Sequence, residues 1–137
     1  MQKFISFIET NAPTVLRLGI SAVILWFSFA QFTQNEQYTA YIPDSVVAFT
    51  HIQATTLVFI NALFELIFGL ALVFGFKTRI VATLLALHLF DIMWTVGYGE
   101  IGIRDFGLAV ATLVVAMNGP DLFCIDKKKE INTLVNK

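Results

Sequence analysis

The feature that most limits what this chain can become is residues 54–76, an apolar run with one acid, Glu65, near its middle. Its fourteen Leu, Ile, Val and Phe residues each favour insertion by about 0.3–0.6 kcal/mol, roughly 6 kcal/mol together, against about 3 kcal/mol for a central acid. Insertion wins. At ~1.5 Å per residue the run crosses a ~30 Å hydrocarbon core with some tilt to spare. The chain therefore reads as a membrane protein with a buried acid.

Composition agrees, with 57% hydrophobic residues and a mean hydropathy of +0.75, far above a soluble domain of this size. Nine basic residues against ten acidic give a net charge of −1, which offers no case for nucleic acid binding. Cys124 is the single cysteine, so internal disulfides and dithiol chemistry are excluded. It reads as an incidental interfacial residue.

Three further runs complete an all-α bundle of four transmembrane helices, a single membrane domain with spans at about 13–33, 54–76, 79–98 and 101–118. Residues 1–12 suggest an amphipathic surface turn, and Pro13 suits the first turn of a helix, where a missing N–H costs nothing. Ser28-Phe29-Ala30 has the form of a signal cleavage site, but Arg17 interrupts the apolar region, so retention as a span is expected. Residues 34–53 read as a polar outer loop with a short surface helix around 38–42. The fourth span is uninterrupted only over 106–117, roughly 18 Å of helix, so Arg104 and Asp105 must lie within the membrane profile. Residues 119–137 form a tail.

Lys3, Lys77, Arg79, Lys127, Lys128, Lys129 and Lys137 fall on one side of this arrangement. By the positive-inside rule both termini are cytoplasmic, in a membrane of the bacterial inner type. Trp26, Trp94 and Tyr98 then read as belt aromatics at the outer side.

Depth along each span, at ~1.5 Å per residue from its basic end, places His88 about 14 Å in, Glu65 about 16 Å, Asp91 about 18 Å, and Arg104 with Asp105 about 20 Å. Helical periodicity puts His88 and Asp91 on one face, and Asn61 and Glu65 on another. Arg17 starts only about 6 Å deep, from where it reaches up toward Glu65 or back to headgroups. Arg17, Glu65, His88, Asp91, Arg104 and Asp105 are therefore the candidate ligand-binding residues, with Glu65, His88 and Asp91 the candidates for handling a proton. Three acids against one or two arginines imply that at least one proton is retained in the layer. Glu65 is expected to be paired or hydrogen-bonded with Arg17 or Arg104. For Ser21, Ser28, Asn61 and Thr112 the plainer role of holding helices together is the expectation.

His51 lies at or beyond a span end while His88 lies mid-membrane, so they cannot bracket a haem iron. No Cys and His cluster suits zinc or iron–sulfur. An oxygen site for a metal from Glu65, Asp91, Asp105 and His88 lacks any spacing signature, so none is expected.

Arg17-Leu18-Gly19, Trp26-Phe27 with Gln31-Phe32, Glu65-Leu66, Gly69-Leu70, Gly75-x-x-Thr78-Arg79, Arg104-Asp105-Phe106-Gly107-Leu108, and Gly119 through Ile125-Asp126 together resemble the DoxX family of small four-helix membrane proteins, over about residues 13–126. Gln31 departs from relatives that often carry Lys. The resemblance implies Arg17, Glu65, Arg104 and Asp105 as a polar core. It also implies a membrane subunit of a quinone-linked redox complex, with a quinone or similar lipophile as ligand and a redox partner protein as source of electrons. A non-enzymatic assembly or chaperone-like module with a structural polar layer is the alternative. Proton-coupled movement of a small solute fits four short helices least.

Overall fold

Apolar periodicity between glycine and proline breakers gives four long helices in the computed structural model, which describes residues 1–127. The chain runs α1 (Gln2–Thr33), α2 (Asn35–Thr39), α3 (Asp44–Thr50), α4 (Ala54–Phe74), α5 (Thr78–Val96) and α6 (Glu100–Asn118), with no strand among the described residues. Lys128, Lys129 and Lys137 of the basic tail lie outside the described residues. α1, α4 and α5 are each long and apolar enough to cross a membrane. α6 equals α5 at 19 residues but holds Glu100, Arg104 and Asp105 in its first two turns.

The start of α1 corrects the expected surface turn. Residues 2–12 are the opening turns of the same helix, which runs through Pro13 without ending. Proline removes only its own bond, here to the Glu9 carbonyl. The residues before it add side-chain bonds along the same stretch, Thr10 Oγ1 donating to Ser6 O at 2.7 Å and Asn11 Nδ2 to Phe7 O at 2.8 Å. Residues 2–10 are exposed, Phe4 and Phe7 among them. The 34–53 loop differs too, since its helices are α2 and α3, and residues 40–43 form the bend between them.

α1 packs along α4, and α5 along α6; contacts between these pairs, α4 to α5 and α1 to α6, are sparser. Small residues set the close seams. Ala62, Ala82 and Ala109 are wholly buried, and a Cβ on Gly69 would come within 3.0 Å of Leu25, the kind of approach membrane helices use in place of a hydrophobic drive. Ile20, Ile24, Leu72, Leu85, Leu89 and Val115 fill the centre. Trp26, Ile67, Leu87 and Trp94 face outward, as surfaces that contact lipid do. Of the residues expected to tie helices together, Ser28 does so, its hydroxyl donating to Ala62 O at 2.8 Å. Ser21 and Thr112 instead bond carbonyls of their own helices.

The basic end is fastened by helix-end caps. Gly75, left-handed at φ 64°, closes α4 with its own N–H on Leu72 O and the Phe76 N–H on Ala71 O, the Schellman arrangement that glycine adopts without strain. Asp126 returns to the start of α5, its carboxylate accepting the Lys77 and Thr78 N–H groups at 2.9 and 2.7 Å. Arg79 donates to the Ala116 and Met117 carbonyls at the end of α6. Cys124, expected as an interfacial bystander, is wholly buried. It occupies the space beside Gly75, where an added Cβ would lie 2.4 Å from its Sγ.

Candidate functional site

The polar side chains form two separate centres. Near the basic end, Arg17 is 1% exposed and all its bonds go to that end. Nε donates to Asp121 Oδ2 at 2.7 Å, a terminal nitrogen reaches Oδ1 at 3.3 Å, and the other donates to the Leu72 and Val73 carbonyls. A guanidinium here also complements the negative C-terminal end of the α4 dipole. Burial alone would push the Asp121 carboxyl up; the Arg17 bond and charge, with the Phe123 N–H, outweigh it and hold the group below its usual 3.8. Arg17 therefore does not reach toward Glu65. Its shallow start on α1 puts it beside the folded-back tail after Gly119-Pro120.

The second centre lies toward the end covered by α2 and α3. Glu65 of α4 is 4% exposed, and its partners are neutral amides, not the arginines expected for it. Gln31 of α1 donates to Oε2 at 2.7 Å, and Asn61, one turn before Glu65, donates to Oε1 at 3.1 Å. Asn61 also donates to Gln31 Oε1 at 2.7 Å. The triangle joins α1 to α4, since Gln31 sits in the last turn of α1 and Asn61 and Glu65 share a face of α4. His88 of α5 lies tilted against the Phe64 ring and brings Nε2 to 3.7 Å from Glu65 Oε1, too long for a hydrogen bond.

On α6, Arg104 Nε donates to Asp105 Oδ1 at 2.7 Å, and the guanidinium lies 4.1 Å from the centre of the Phe27 ring. Such stacking is the preferred seat of a weakly hydrated guanidinium. The Asp105 side chain is only 4% exposed. Residues 102, 105 and 109 turn the same face of α6 inward, which carries Asp105 into the bundle and leaves Arg104 at the α1 seam.

Between the two helix pairs lies a cavity of about 390 Å³. Glu65, Asn61, Gln31, Asp91, Arg104 and Asp105 share its wall with Ile24, Phe27, Leu57, Val58, Leu89, Ile92 and Leu108. The sparse packing between the pairs is its origin. Gln37, Tyr38, Tyr41 and Val46, from α2, the bend and α3, form its roof. Asp91 lines the cavity and is itself exposed, so the cavity opens beside it. Burial pushes the Tyr38 phenol up, with nearby Arg104 opposing and Tyr41 and Glu65 adding to the rise. His88 and Arg17 are not on the cavity wall.

Sequence reasoning gave three residues here no place among the site residues. Asp121 was signalled by the shallow depth of Arg17 beside the tail. Gln31 was signalled by its helical spacing from Arg17, Ser21 and Ser28, which puts it on the same buried face of α1. Tyr38 carried no signal, because the fold of an aperiodic loop is not written in its spacing.

Apolar helices with outward-facing aromatic and aliphatic side chains, packed around a cavity that holds a few polar groups, define an integral membrane protein. The family model described as DoxX matches residues 12–98, and the chain belongs to the DoxX family. That match takes in Arg17, Gln31, Glu65, His88 and Asp91 and ends before Arg104. No curated protein and no solved structure matches the chain.

Proposed function

We propose that the chain is a membrane subunit of a redox complex that holds a quinone or similar lipophile in this cavity. One observation carries the reading: a space of about 390 Å³ whose wall pairs apolar side chains from every long helix with Glu65, Asp91, Arg104 and Asp105. A concave, mostly apolar site with a few convergent polar groups is what a small lipophilic ligand requires. The tail of the ligand lies along the opening beside Asp91 and its head meets the polar wall. Arg104 and Asp105 orient the head, and Glu65, with His88 behind it, is the group placed to exchange a proton. Electrons come from the ligand or from a partner subunit, since the side chains themselves carry no redox group. In this reading α6 is a fourth crossing, both termini are cytoplasmic, and α2 and α3 face outward in a bacterial-type inner membrane, on the strength of the basic residues at one end.

The test is solvent extraction of the protein purified in mild detergent, followed by mass spectrometry. A stoichiometric lipophile in the wild type, reduced at least tenfold in Glu65→Gln of unchanged thermal stability, is expected. A wild type free of lipophile contradicts the reading.

A second reading is favoured by the Gln31–Asn61–Glu65 triangle, in which both carboxylate oxygens are already bonded across α1 and α4. There the layer serves only to hold an assembly or chaperone-like module together. It expects Glu65→Gln to unfold the bundle and to leave no separate activity to lose.

A further inference from the structure

We infer that two copies of the chain pair side by side through α1, along the face of that helix turned away from the bundle. The inference does not depend on what the cavity binds.

α1 outruns its neighbours. At ~1.5 Å per residue its 32 residues span about 48 Å, against about 32 Å for the 21 residues of α4 and ~30 Å for the hydrocarbon core. The excess stands at the basic end. Arg17 bonds the Leu72 and Val73 carbonyls in the last turn of α4, so the turns before Pro13 run on past the end of that helix. Residues 1–10 are exposed throughout, and Phe4, Ile5, Phe7 and Ile8 are 47–67% exposed. Beyond the hydrocarbon, lipid tails do not cover such a patch, and an apolar surface of this kind marks a protein contact. A helix of about three turns standing free in water also has little stability of its own.

The spacing shows which partner fits. Met1, Ile5, Ile8, Ala12, Val15, Gly19 and Ala22 follow one another at alternate steps of four and three, the heptad period of a seam between two helices. Every one of them is exposed, and the row runs unbroken from the projecting turns into the membrane-spanning part. It lies on the opposite side from Thr14, Arg17, Ser21, Ile24 and Ser28, which α1 buries in the bundle. No ionisable side chain stands in the row, so it can face its own copy without like charges meeting. At Gly19 nothing among the described residues lies within 4 Å of where a Cβ would sit. No contact inside the molecule calls for a glycine there, whereas a second helix passing closely does. The membrane gives every copy one direction and one depth. Two copies side by side are therefore parallel and in register, and the row meets itself about a two-fold axis along the membrane normal. A second copy is thus a partner whose own helix has the length to cover the face both within the bilayer and beyond it.

The experiment uses the full chain in lipid vesicles. Cysteines are introduced singly by Ile5→Cys, Ile8→Cys and Val15→Cys on the row, and by Lys3→Cys, Ser6→Cys and Thr10→Cys on the far side of the same turns. Disulfide-linked dimers after mild oxidation are read on non-reducing gels, with the unaltered chain, whose Cys124 is wholly buried, as the blank. The first set is expected to link and the second to stay at the level of the blank. Gly19→Leu, which enters open space in the single chain, is expected to weaken the dimer at least about tenfold by fluorescence energy transfer between labelled copies, with an unchanged helical circular dichroism spectrum. Equal linking by the two sets, linking by neither, or a dimer untouched by Gly19→Leu overturns the inference. A wild type that stays monomeric in the vesicles overturns it as well, and leaves the reading of the cavity standing.

Discussion

At the scale of single residues, the contrast between Arg17 and Glu65 shows how a buried charge chooses its partners. Arg17 has a carboxylate and two helix-end carbonyls within 3.3 Å, whereas Glu65 is held by two amides. Removing one partner of a buried pair leaves an uncompensated charge, so Asp121→Ala is expected to cost about 3–5 kcal/mol, read as a loss of thermal stability in detergent. Because the Asp121 carboxyl is held below its usual 3.8, its contribution is complete above that value and disappears as pH falls through the lower folded value. Unfolding followed from about pH 7 to about pH 2 should show this loss setting in below 3.8 in the wild type and not in Asp121→Asn. Gln31→Leu leaves a Glu65 oxygen without its amide and is expected to cost about 1–3 kcal/mol by the same measurement. Glu65, Asp91, Arg104 and Asp105, given similar depths by the sequence, line one cavity, whereas His88, given the same layer, is not on its wall. The actual partners were not legible in the sequence, because Asp121 lies on a segment with no period and Gln31 competes with arginines by reach, a matter of side-chain geometry that spacing does not encode.

At the scale of elements, helix ends fall at glycines visible in the sequence, Gly75, Gly97 and Gly119, each with positive φ. The close seam between α5 and α6 depends on a fourth glycine. A Cβ on Gly102 would come within 2.0 Å of the Gly97 carbonyl oxygen, a backbone atom that cannot swing aside. Gly102→Ala is therefore expected to destabilise by about 1–3 kcal/mol, whereas Gly107→Ala, with open space around it, should be neutral or gain about 0.5–1 kcal/mol from helix propensity. Thermal unfolding of the two variants side by side checks the contrast. The first helix was the element read least well. Pro13 looked like a beginning because proline is at home there, but with no glycine before it the helix continues back to Gln2.

At the scale of the whole molecule, the sparse contact between two tightly packed helix pairs accounts for both the cavity and its opening beside Asp91. Reporter fusions test the proposed orientation: a reporter active only outside the cell should be silent after residue 127 and active when inserted at the bend between α2 and α3. Activity at both places would remove the four-crossing arrangement. The claim on which everything else depends is that acids and an arginine from α4, α5 and α6 enclose one shared interior space. A density map of the protein in lipid nanodiscs tests it directly. The account predicts an elongated density in the cavity, its polar end within hydrogen-bonding distance of Glu65 or Asp105 and its tail leaving beside Asp91; a map in which Glu65 and Arg104 face lipid on opposite sides, or in which side chains close the cavity completely, would contradict it.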